Sequence, residues 1–189
     1  MTARYVLIRR LLHWTVAVLI VLMVPFGLIF TNFDNQSWIE ATFGTGSFDR
    51  LYNLHKSVGF VVLGLATVRL AAMVIWPAPP IKPRPPLVER AAAGAVHGLL
   101  YALIFVTPLL GWLGTSAFPA PLPVFNWFDM PALLSPDREL SNRLLHMHSL
   151  SAYTLATLAT VHLCAALFHR NVRQDGVFDR MALFARRRG

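Results

Sequence analysis

Four long apolar runs, separated by shorter polar, proline-rich or aromatic-rich stretches, organise the chain. They cover roughly 11–30, 54–76, 91–114 and 146–169, and at about 1.5 Å per residue each can cross a hydrocarbon core of about 30 Å. The pattern predicts an all-α membrane four-helix bundle forming one transmembrane domain over residues 1–189, with no evident internal repeat. Basic residues precede the first run, as in a secretory leader. Val24-Pro25-Phe26-Gly27-Leu28 offers no small-residue cleavage site, however, so the run reads as a retained helix.

The connections have their own signatures. Pro25 and Gly27 stand near the end of the first run, where a helix can kink or stop at little cost. In the 31–53 loop, Ser37-Trp38-Ile39-Glu40 matches a short capping-box pattern, which predicts a surface helix or half-turn with Trp38, Phe43 and Phe48 in the membrane interface. Residues 77–86 carry prolines that stop a helix and favour a stiff extended spacer. Gly94, Gly98, Gly111 and Gly114 in the third run permit close approach of a helix or a flat ligand, and Pro108 can bend it. The 117–143 stretch is rich in Pro, Trp and Phe and reads as an interfacial cap.

Composition agrees with the apolar pattern, since 56% of the 189 residues are hydrophobic. The single cysteine, Cys164, excludes a disulfide framework or a cysteine-rich metal site. A net charge of +8 suggests nucleic acid in a soluble protein, but here its distribution is what matters. Arg4, Arg9 and Arg10, then Lys82, Arg84 and Arg90, then Arg170, Arg173, Arg180 and Arg186 to Arg188 all fall on one side of the predicted spans. The opposite loops mix Asp34, Glu40, Asp49, Asp129, Asp137 and Glu139 with Arg50, Lys56, Arg138 and Arg143. The positive-inside rule therefore predicts cytoplasmic N- and C-termini.

Ionisable groups inside an apolar run are costly and usually turn inward to a partner or cofactor. His148 and His162 are fourteen residues apart, about 40° short of four full turns, so they share a face with about 21 Å between them along the axis. One helix thus offers an imidazole near each membrane surface. By depth, inner His162 pairs with His13 of the first run, and outer His148 with His55 of the second. His97, entering the third run from the inside, is the alternative to His13. Two stacked imidazole pairs without cysteines or paired carboxylates fit two haem b irons better than zinc, which favours a tetrahedral ligand set. Gly59, one turn beyond His55, and the glycines of the third run make room for a macrocycle. Taken singly, His13 or His55 reads as an interfacial residue at a helix end rather than a ligand, and it is the four together that point to iron.

His146 points about 200° around the helix from His148 and reads as a proton acceptor or a solvated residue. His169 shares the face of His162 about 10 Å nearer the inner surface, as a snorkelling group would. Lys56, Arg138 and Arg143 near the outer pair either attract a small anion or anchor the interface. Arg69 meets a haem propionate or snorkels inward.

These residues, together with Leu12-His13-Trp14, Leu54-His55-Lys56-Ser57-Val58-Gly59, Val68-Arg69-Leu70, Pro77-Ala78-Pro79-Pro80, His97-Gly98-Leu99-Leu100-Tyr101, Pro108-Leu109-Leu110-Gly111 and His148 with Val161-His162, resemble the bacterial cytochrome b561 family over most of the chain. The resemblance implies a dihaem inner-membrane cytochrome b with iron ligands at His13, His55, His148 and His162. It further implies electron exchange with ubiquinone and, in some members, oxidation of superoxide at the outer face. Expected partners are membrane lipid, ubiquinone and a small outer-side electron donor, and no nucleic acid. The rival readings are a cytochrome b subunit anchoring a dehydrogenase or hydrogenase, and a histidine-lined transition-metal transporter.

Overall fold

The computed structural model describes residues 3–30, 35–80 and 85–184. Asp34, Lys82, Arg84 and Arg186 to Arg188, which enter the charge argument, lie outside the described residues, as does the middle of the proline-rich connection. Five helices follow in order: α1 (Leu7–Phe30), α2 (Asn35–Phe43), α3 (Ser47–Ile75), α4 (Leu87–Ser116) and α5 (Arg138–Phe168). All but α2 are long and apolar enough to cross a bilayer, α5 counting with its extension to Arg173.

Local chemistry sets the starts of these helices. Gly46, at a φ of 75°, turns the chain into α3 through the left-handed region that glycine enters freely. Pro86, at φ −51° and ψ 150°, is extended where the chain enters the first turn of α4. The Asp137 side chain accepts a hydrogen bond from the Leu140 N–H at 3.0 Å and caps α5. The α3 and α5 helices begin about two turns before the apolar runs that announce them. Their first turns mix polar with apolar residues and so interrupt the hydropathy signal, yet the turn at Gly46 and the Asp137 cap start the helices ahead of the apolar runs. Pro25 and Pro108 are accommodated inside α1 and α4.

The expected capping box is not used. The α2 helix already starts at Asn35, whose side chain donates to the Ile29 carbonyl at 3.0 Å, so Ser37 sits inside the first turn. Glu40 accepts instead from Gln36 at 3.1 Å. Trp38 and Phe43 are exposed, as interfacial aromatics would be, but Phe48 is buried, with Phe30 at 5.4 Å between ring centroids.

The α1 helix packs on α3, α3 on α4, and α4 most extensively on α5, while α1 meets α5 more lightly. The centre is a layer of Val16, Val62, Ala66, Ile104 and Leu155. Ser141, His148, Leu155, His162 and His169 follow one another at seven-residue spacing, so α5 presents a single seam to the bundle. Leu155 sits in the apolar layer, two turns from each of His148 and His162.

The glycines of α4 divide into two kinds. A Cβ at Gly114 would lie 2.8 Å from a Leu145 methyl, and one at Gly111 would lie 3.1 Å from His148 Nδ1, so α5 crosses closely there. Gly94 and Gly98, like Gly59 on α3, face open space.

Both ends of the bundle are covered. At the end holding both termini, residues 176–184 fold back over the helix ends. Tyr5 N–H donates to the Arg180 carbonyl at 3.1 Å, Trp14 Nε1 to the Met181 carbonyl at 2.9 Å, and Arg10 to the Ala182 carbonyl at 3.0 Å. Arg180 reaches the carbonyls of Ala3 and Pro79, and Arg9 that of Trp76. At the opposite end, β1 (Pro123–Val124) and β2 (Phe128–Asp129) form a small hairpin. Its turn places Phe125 and Asn126 at φ 50° and 58°, with Trp127 N–H donating to the Val124 carbonyl. Phe125 N–H donates to Ser57 Oγ at 2.8 Å and Asn53 Nδ2 to Asn126 Oδ1 at 2.8 Å, fastening the hairpin to α3.

Candidate cofactor site at two histidine levels

Two groups of imidazoles form inside the bundle, one on each side of the apolar layer. At the hairpin end, His55 of α3 faces His148 of α5, with ring centroids 6.1 Å apart and planes at 85°. At the end holding the termini, His13 of α1 faces His162 of α5 at 6.2 Å and 85°. His97 of α4 joins this second group, with its ring 5.2 Å from that of His162. Because α3 and α5 begin early, His55 and His148 lie about 12 and 15 Å inside their helices rather than at the helix ends.

The supports of these rings differ. His148 Nδ1 lies 2.8 Å from the Thr107 carbonyl oxygen, the last acceptor before Pro108. A donating Nδ1–H leaves Nε2 with a free lone pair, the usual way in which a second hydrogen bond orients a ligating imidazole. Gly111 makes the approach feasible, because a side chain there would press on the ring. His13 Nδ1 and His55 Nδ1 are buried without a hydrogen-bond partner among the described residues. Packing positions those two rings: Trp14 lies 5.5 Å from His13, and Phe30 lies 5.6 Å from His55. A cavity of about 130 Å³, lined by Leu19, Leu22, Met23, Phe26, Leu54 and Val58, adjoins His55. Sequence reasoning misses Thr107 altogether, since a carbonyl partner leaves no trace in side-chain chemistry.

The other expected residues fall outside the facing pairs. His146 is exposed on α5 and, with Asn142, Arg143 and Met147, lines an open groove. Arg143 is ion-paired with Glu139 one turn away on an exposed face. Lys56 lies over the Tyr52 ring at 4.9 Å, and Arg138 over Phe118 at 5.6 Å. Arg69 lies over the Tyr101 ring at 5.0 Å. His169 opens a π-helical turn and pairs with Asp175 at 2.6 Å, while Arg173 of the same turn reaches Glu89 of α4 at 2.8 Å. Partial burial would raise the Asp175 carboxyl, but the His169 bond, the Val177 N–H and nearby Arg173 outweigh it and hold the group below its ordinary range.

The donor set suits a group that takes two imidazoles on opposite sides of one metal. Metal–nitrogen bonds of about 2.0–2.1 Å place two such rings about 6 Å apart between centroids, the separation found in both facing pairs. Open space at Gly59 and Gly98 fits the same requirement. Among the described residues no cluster of three or more His, Cys, Asp or Glu is arranged to hold a bare metal ion.

The family model described as prokaryotic cytochrome b561 matches residues 4–182. The chain is 30% identical over 179 residues to cytochrome b561 homolog 2 of Escherichia coli (strain K12), covering 94% of this chain and 90% of that one. It is 30% identical over 181 residues to cytochrome b562 of Cereibacter sphaeroides, covering 94% of each. Over 128 residues it is 27% identical to the probable superoxide oxidase CybB of Yersinia pestis, covering 68% of this chain and 72% of that one. A family match running from the first helix into the C-terminal strap leaves no element of the bundle unexplained, and this multi-pass membrane chain belongs to the prokaryotic cytochrome b561 family of b-type cytochromes.

Proposed function

We propose that the chain is a dihaem electron carrier of the bacterial inner membrane, with both termini cytoplasmic, that links an outer-side donor to ubiquinone. The observation that carries this reading is the pair of facing imidazoles at each of two levels, 6.1 and 6.2 Å apart. His55 and His148 would hold the outer haem b and His13 and His162 the inner one. When bound, each haem supplies reversible one-electron exchange between ferric and ferrous iron. The 5.2 Å approach of His97 to His162 is too close to leave a metal in line between them, which favours His13 as the inner ligand.

The protein's own part is to orient, insulate and space these groups. Thr107 fixes the His148 ring, the Val16–Val62–Ala66–Ile104–Leu155 layer keeps water out between the levels, and the hairpin and C-terminal strap cover the two mouths. The Arg-rich end holding both termini supports the cytoplasmic assignment. Reduction of ubiquinone also consumes protons, and the exposure of His146 supports a role in exchanging them with water. Superoxide is the outer-side donor we favour, on the strength of the resemblance to a probable superoxide oxidase.

Purified protein tests the proposal. Two b-haem equivalents per chain are expected, both reduced by superoxide and reoxidised by a soluble ubiquinone analogue in rapid mixing. A colourless protein carrying zinc overturns the carrier assignment, and haems indifferent to superoxide overturn only the donor.

A further inference from the structure

Arg69 stands fourteen residues after His55 on α3, the interval that separates His148 from His162 on α5. The seam carrying His55 thus passes through Val62 in the apolar layer and arrives, about 21 Å along, at Arg69 on the level of the inner imidazoles. Three of the long helices contribute a histidine there, and α3 contributes a guanidinium.

A permanent cation inside a membrane bundle calls for an anion, because arginine does not give up its proton. Of the other arginines near this end, Arg9, Arg10 and Arg180 hold carbonyls and Arg173 holds Glu89, while Arg90 and Arg170 are exposed to the surroundings. Arg69, among the described residues, has only the ring of Tyr101 at 5.0 Å and the nearby phenol, with neither carbonyl nor carboxylate. The one acidic residue of α4, Glu89, is already paired, and α1 has none. Across the same level, Gly98 leaves open space beside His97. A porphyrin of the b type carries two propionate carboxylates, and a guanidinium is the side chain suited to hold a carboxylate through two parallel hydrogen bonds.

We infer that Arg69, steadied by the Tyr101 ring, is the carboxylate clamp of the inner porphyrin, binding a propionate and adding a fixed positive charge beside that iron. The inference rests on the haem reading above. It makes Arg69 a cofactor-binding residue and a determinant of the difference in potential between the two levels, since net charge around the iron tunes its potential.

The test is redox-difference infrared spectroscopy with haem labelled at the propionate carboxyls, alongside potentiometric titration, on the wild type, Arg69→Gln and Arg69→Lys. In Arg69→Gln the carboxyl bands of one haem are expected to shift and its midpoint potential to fall, the other haem keeping both. Arg69→Lys, which retains the charge but not the fork, is expected to recover the potential more fully than the bands, and it serves as the readable variant if Arg69→Gln fails to retain the inner haem. Unchanged carboxyl bands in both variants, with two haems bound, overturn the clamp and leave the carrier reading standing. A wild-type protein without haem overturns both.

Discussion

His148 and Thr107 are joined across the interface of α4 and α5, with Nδ1 of the imidazole 2.8 Å from the carbonyl oxygen. The contact exists because position 111, one turn along α4, has no side chain to hold the ring away. A main-chain acceptor on one helix thereby sets the tautomer and tilt of an imidazole on another.

Gly111→Ala is expected to disturb this level alone. The new Cβ would sit 3.1 Å from Nδ1, so the ring must give by a few tenths of an ångström and strain its bond to Thr107. Overpacking of this kind costs about 1–3 kcal/mol. Low-temperature optical spectra should show one haem band shifted and the other unmoved, and an unaltered spectrum would refute the orienting role of Thr107.

His13 and His97 compete for the inner level, and their distances from His162, 6.2 and 5.2 Å, separate them. His13→Ala is expected to lose one haem equivalent, and His97→Ala to keep two with a modest change in the inner spectrum. Pyridine haemochrome quantification of the purified variants decides the matter, and the opposite pattern would exchange their roles.

Ser57, fully buried, accepts from Phe125 N–H at 2.8 Å and donates to the Asn53 carbonyl at 2.8 Å. Ser57→Ala leaves the Phe125 N–H without its acceptor, at a cost of about 1–3 kcal/mol. Faster proteolytic cleavage or hydrogen exchange between residues 119 and 136 is the expected readout. Cleavage at the wild-type rate would mean that the hairpin is held by its apolar contacts alone.

Acidification should loosen the segment that follows α5. Because the folded protein holds the Asp175 carboxyl below its ordinary range, the contribution of its contacts is complete above an unfolded value of about 4 and is lost as pH falls through the lower folded value. Hydrogen exchange of residues 175–177 measured downward from pH 5 is expected to accelerate in that window. Asp175→Asn should be fast throughout and insensitive to pH there.

How much of this was legible beforehand varies by element. The four spans were, because a bilayer demands long apolar helices and little else produces such runs. The shared face of His148 and His162 was legible from their interval and helical geometry alone. The true starts of α3 and α5 were not, because charged residues interrupt the apolar pattern in their first turns, which are set by the turn at Gly46 and the Asp137 cap. The capping box at Ser37 was a pattern without a helix terminus to serve. Phe48 read as interfacial, yet it is buried close to Phe30, a contact that hydropathy cannot specify.

By itself, then, the sequence determined the number of spans, the two depths at which imidazoles occur and the spacing along α5, since these depend only on helix rise and rotation and on the cost of polar groups in hydrocarbon. Only the tertiary structure decided that the imidazoles paired by depth face one another at about 6 Å while His97 comes closer to His162, that Thr107 holds His148, that Gly111 and Gly114 serve helix contact while Gly94 and Gly98 face open space, and that residues 176–184 cover the end holding both termini. Those outcomes depend on how the helices are rotated and crossed against each other. That arrangement is set by packing between residues far apart in the chain, which no local pattern encodes.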